Sequence, residues 1–73
     1  MSKLPIISGR ECVSALQRAG FTIRRQTGSH IVLQRDNPYA VASVPKHKSL
    51  KKATLKSNIR QAGMTTDEFL SYL

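Results

Sequence analysis

The chain has few of the usual means of bracing a small fold. Cys12 is its single cysteine, so no internal disulfide can form, and the pattern suits a reducing compartment. Cys12 lies among Val13, Leu16 and Ala19 at helical spacing, where a buried and inert thiol is expected rather than a nucleophile. No segment approaches the ~20 apolar residues of a membrane span. The opening "MSKLPIISGRE" lacks the apolar core of a signal peptide. A soluble, cytoplasmic protein with no membrane partner is therefore expected. Seventy-three residues suit one domain over 1–73. A chain this short buries only about 60% of its unfolded surface, so its margin of stability would gain from a bound partner.

Acidic residues are also scarce: four, against twelve Lys and Arg, for a formal net charge of +8. Each acid has a local use. Ser8 with Glu11, and Thr65 with Glu68, have the S/T-x-x-E spacing of a capping box, Asp67 favours a helix N-terminus, and Asp36 falls in a turn. No carboxylate is left over for a hard-cation site, which argues against the nucleases that hold two divalent metals with several carboxylates. Two histidines and one helix-buried cysteine are too few for a zinc site. No metal or other cofactor is expected.

"SGRECVSALQRAGF" reads as a capped helix that Gly20 stops. "FTIRRQ" follows as a strand with Phe21 and Ile23 on one face and Thr22 and Arg24 on the other. "TGS" turns the chain, with Gly28 as a turn glycine at positive φ. "HIVLQR" is a second strand, Ile31 and Leu33 on one face and His30, Val32 and Gln34 on the opposite one. "DNP" is a strong turn, and "YAVASV" a third strand closed by Pro45. After the loop "PKHKSLKK", Leu55, Ile59 and Ala62 mark a helix over about Thr54 to Ala62, with Gly63 as its stop. "TTDEFLSYL" signals a short last helix, with Phe69, Leu70 and Leu73 docking on the core. The expected fold class is α+β: an α-β-β-β-α sandwich with three antiparallel strands and the helices on one face.

What is plentiful is positive charge, and a small basic domain attracts polyanions. Lys46, Lys48, Lys51, Lys52, Lys56 and Arg60 cluster in the loop and second helix, with Lys52, Lys56 and Arg60 on one helical face. A solvated face normally mixes signs, yet no acid lies between Asp36 and Asp67, so a stripe that binds RNA phosphates is the better reading. Only Phe21, Tyr39, Phe69 and Tyr72 could stack on bases, and the two Phe fit the core. Recognition of backbone and shape is expected more than reading of bases.

His30 is the residue the fold could spare. A lone strand histidine is commonly structural. Yet this one sits in a basic chain without free carboxylates, and imidazole suits proton transfer near neutral pH. RNA brings its own nucleophile, the 2′-hydroxyl, so metal-free scission needs only a base, an acid and positive charge. Ser29, next to it, could cap the turn or assist. His47, in "VPKHKS", is either a basic-loop residue or a second proton-transfer or phosphate-contacting group.

"GSH" at 28–30, together with "VPKHKSLKKATLKSNIRQAG" at 44–63, resembles the HicA family of small bacterial and archaeal toxins. The order of capped helix, "AGF", strand, "GSH", strand, "VP.H" and "TL…IRQAG" helix covers nearly the whole chain. The resemblance implies a fold similar to the double-stranded-RNA-binding domain, ribosome-independent cleavage of mRNA, and neutralisation by a cognate HicB antitoxin. It puts the essential histidine at His30 and matches the histidine after "VP" to His47. One departure is Ala53, where the family commonly has a glycine that eases the start of the helix.

Three function classes follow. The first is the endoribonuclease toxin of a type II toxin–antitoxin system. Its catalytic His30 would be assisted by His47 or Ser29, and its HicB-like antitoxin would cover His30 and the basic loop. The second is a non-catalytic RNA-binding module of the same fold. The third, a DNA-binding regulator, fits poorly, because the second helix exposes mostly lysines and few side chains that read base edges; direct DNA binding is not expected.

Overall fold

A computed structural model describes residues 4–73. The element order is α1 (Gly9–Arg18), β1 (Thr22–Gln26), β2 (His30–Asp36), β3 (Tyr39–Pro45), α2 (Lys52–Gln61) and α3 (Thr66–Leu70). The strands form one antiparallel sheet in the order β1-β2-β3. Cys12, Val13, Ala15 and Leu16 of α1, Leu33, Ala42 and Val44 of the sheet, Leu55, Ile59 and Ala62 around α2, and Phe69 of α3 share a single core. The helices therefore cover one sheet face, as the sequence pattern predicts, and the other face is open. Cys12 is fully buried, and burial pushes its thiol pKa up to about 12. It stays neutral and unreactive at physiological pH.

Local signals set the helix ends. Both capping boxes form: Ser8 with Glu11 on α1 and Thr65 with Glu68 on α3. The Thr65 N–H donates to Glu68 Oε1 at 3.0 Å and holds that carboxyl below its ordinary value. Gly20 and Gly63 have φ of 102° and 72°, the left-handed conformation that ends a helix. α2 starts at Lys52, two residues before the expected Thr54, with Lys51 as an N-cap that makes no side-chain bond. Leu50, buried just ahead of it, ties its N–H to the Ile7 carbonyl at 2.8 Å and fixes where the helix begins.

Two expectations are corrected. Gly28 is not at positive φ, and a Cβ there would meet nothing within 4 Å. Thr27 closes that turn instead: its N–H donates to the His30 carbonyl at 2.8 Å, and its Oγ1 accepts from the His30 N–H at 3.0 Å. Leu73 does not dock. It is 46% exposed, because α3 ends at Leu70 and the helical period ends with it, and Tyr72 packs against the core in its place.

Candidate functional site

His30 opens β2 and pairs with Pro45 at the end of β3. Its ring is exposed, and Ser29 Oγ lies 3.0 Å from Nδ1. Whichever of the two donates, that contact engages Nδ1 and leaves Nε2 for chemistry. The Ser29 carbonyl accepts from the Lys46 N–H at 2.8 Å, so the turn carrying His30 is fastened to the strand that leads to His47.

The 46–50 loop is fastened from its other side by the segment that begins α1. Gly9 N–H donates to the His47 carbonyl at 2.8 Å. The approach is so close that a Cβ on Gly9 would lie 2.1 Å from the Pro45 carbonyl oxygen. Only glycine fits there, which makes Gly9 a residue that positions His47.

His30 and His47 thereby line one open groove of about 550 Å³, between the edge of β3 and the flank of α2. The α2 side contributes Ala53, Thr54, Ser57, Asn58 and Gln61, at the i, i+4 spacings of one helix face. Gln61 Oε1 accepts from the Ser43 N–H at 3.0 Å and closes the outer edge of β3. Asn58 is 3% exposed. Its Nδ2 donates to the Thr54 carbonyl at 3.0 Å, while its Oδ1 is buried and has no partner among the described residues. Buried acceptors are nearly always satisfied, so Asn58 is a polar group of the groove wall that does not contribute its full hydrogen bonding to the fold.

The six predicted phosphate-binding residues are all exposed but do not share one groove. Lys46 and Lys48 rim a second hollow with Arg10, across the ridge that His47 forms, over an apolar floor of Val13, Ile23 and Ile31. Lys56 and Arg60 border a third depression toward Gly63–Thr66. Lys51 and Lys52 stand at the start of α2, whose first turn carries no acid to offset the partial positive charge of the helix end. The result is a polar groove with two imidazoles, flanked on both sides by cations. Among the described residues, no three His, Cys, Asp or Glu side chains gather as a metal site would need. No described helix is long and apolar enough to cross a membrane.

Gly9, Asn58 and Gln61 escaped the sequence reading. Asn58 had a signal, a polar residue between Leu55 and Ile59 in the apolar register of α2. Gly9 had none, since its role depends on the end of β3, some 36 residues away.

No individually curated protein matches the chain. The family model for the HicA toxin of bacterial toxin–antitoxin systems matches residues 9–64 of the 73, from the Gly9 contact through α1, the sheet and α2 to Met64. The chain belongs to the HicA toxin family.

Proposed function

We propose that this protein is a cytoplasmic, metal-independent and ribosome-independent endoribonuclease that cuts mRNA through His30 and is held inactive by a HicB-type antitoxin. The observation that carries this reading is the shared groove of His30 and His47, with Ser29 engaging Nδ1 of the first ring. One imidazole enters neutral and takes the 2′-hydroxyl proton, and the other enters protonated. The 2′-oxygen bonds to the adjacent phosphorus, the bond from phosphorus to the 5′-oxygen breaks, and the protonated ring gives that oxygen its proton. The products are a 2′,3′-cyclic phosphate and a 5′-hydroxyl. Nothing else is consumed, so no bound cofactor is required by the balance of the reaction. Lys46, Lys48, Lys51 and Lys52 would hold phosphates beside the groove and oppose charge building on the phosphorane, while Lys56 and Arg60 would add attraction at longer range. An acidic, amphipathic segment of the antitoxin suits the hollow rimmed by Arg10, Lys46 and Lys48 over Val13 and Ile31. Bound there, it would cover the basic loop beside both histidines.

The test is His30→Ala. Cutting of a defined mRNA should fall by at least ~10²-fold, the usual worth of a positioned acid or base, while the far-ultraviolet spectrum and antitoxin binding stay as in the parent. Products carrying cyclic phosphate, formed equally well in excess chelator, belong to the same expectation. Cutting that survives His30→Ala, or products with 3′-hydroxyl ends, would overturn it. A parent chain that binds RNA without cutting it would leave a non-catalytic RNA-binding module.

A further inference from the structure

We propose that the open face of the sheet is a track for single-stranded RNA, with a base stacked on Tyr39, the backbone held by Arg24 and Arg25, and the strand running on into the His30 groove. The proposal rests on reading that groove as a site for RNA.

Strand alternation puts His30, Val32, Gln34 and Asp36 of β2 on the open face, opposite Pro45, Ser43, Val41 and Tyr39 of β3 in turn, with Pro45 buried where the row ends. Tyr39 is 69% exposed. It stands with Val32, Gln34, Val41, Arg24 and Arg25 around one shallow depression of about 340 Å³. The next residues along the same strands, Ser43, Pro45 and His30, already belong to the histidine groove. The two hollows therefore lie end to end. Pro45 lies six residue steps along the strand from Tyr39, about 20 Å, which suits a segment of at least about four nucleotides.

A bulge in β1 supplies the second arginine. Ile23 pairs with Leu33 and Arg25 with Val32, so Arg24 is an extra residue, and both arginines oppose the single Val32. Regular alternation would have turned one of them toward the helices. The bulge instead sets two guanidinium groups beside an exposed ring. Arg24 Nη1 donates to Gln34 Oε1, and Gln34 Nε2 donates to Asp36 Oδ1 at 2.6 Å, a chain that holds Arg24 in place. Guanidinium forks match phosphate oxygens and also stack on planar groups. An exposed tyrosine can receive only an unpaired base, since a duplex keeps its bases stacked, so a single strand fits and a double helix does not.

The test uses the full chain carrying His30→Ala, so that binding is measured without cutting, and a fluorescein-labelled unpaired RNA of about 12 nucleotides. Tyr39→Ala should raise Kd about tenfold, and Tyr39→Phe, which keeps the ring, should restore it. Arg24→Ala and Arg25→Ala should each lower the slope of log K against log salt by about 0.7. Equal affinity of parent and Tyr39→Ala would overturn the proposal. So would an RNA duplex bound as tightly as the single strand, or a Tyr39→Ala chain that binds RNA normally but loses the antitoxin. The two readings fail separately. A parent that does not cut but whose RNA binding depends on Tyr39 sinks the catalytic reading alone. A parent that cuts and is indifferent to Tyr39 sinks the track alone.

Discussion

Asn58 is the residue at which stability and use of the groove pull apart. Its Oδ1 is buried without a partner among the described residues, and leaving such an acceptor unsatisfied costs about 1–3 kcal/mol. Its one bond, from Nδ2 to the Thr54 carbonyl, goes to an oxygen that already accepts the α2 backbone bond, so losing it orphans nothing. Asn58→Leu should therefore stabilise the chain by about 1 kcal/mol net, a rise in Tm of about 5 °C. It also replaces a polar wall of the His30 groove by an apolar one, so RNA cutting should fall. Calorimetry with a cleavage assay on the same protein checks both. A variant less stable than the parent would mean that Oδ1 has a partner in solution. The residue was legible in outline: an asparagine in the Leu55, Ile59, Ala62 register breaks the apolar pattern. Its orphaned oxygen was not, because satisfaction of a side chain depends on every neighbour at once. Gly28 shows the reverse error. A glycine in a turn suggested positive φ, but Thr27 supplies the turn's hydrogen bonds and the glycine's freedom goes unused.

At the level of elements, α1 acts on the site through its first residue. Gly9→Ala would ordinarily strengthen a helix by up to about 1 kcal/mol. Here the added Cβ meets the Pro45 carbonyl oxygen at 2.1 Å, a backbone atom that cannot swing aside, and the strand end or the helix must move. Overpacking of this kind costs about 1–3 kcal/mol, and the gain is smallest at a helix end, so the clash wins. Gly9→Ala should lower Tm and shift the NMR resonances of the His47 ring, while the Ser8–Glu11 box keeps α1 formed. An unmoved His47 ring with full stability would show that the loop is not seated on α1. Capping boxes, stop glycines and strand alternation could be read ahead of the structure because each is settled within a few residues. The Arg24 bulge, the seat of His47 on Gly9, and the Gln61 bond that closes β3 could not. Each joins residues distant in sequence, and local pattern has no access to them.

The whole molecule is a thin slab, 31 × 27 × 17 Å, one layer of helices on one sheet. A core this shallow leaves the outer sheet face uncovered, and a net charge of +8 spread over so small a body makes it a general attractor of polyanions. General attraction alone would treat every lysine alike, but the cations stand at different distances from the histidine groove. Lys46 and Lys48 bracket His47 itself, whereas Lys56 and Arg60 face a depression turned toward α3. RNA engaged at the two histidines should therefore contact the first pair directly and the second pair only through the longer-range field, which salt screens within about 10 Å at 0.1 M. Removing Lys46 and Lys48 together should lower the salt slope of single-stranded RNA binding by about 1.4, two phosphate contacts at about 0.7 each. Removing Lys56 and Arg60 together should lower it by less. The measurement is a salt titration of labelled RNA on the His30→Ala chain with each pair changed to alanine. Equal slopes for the two pairs would mean that RNA contacts the far side of α2 as directly as it contacts the loop that carries His47.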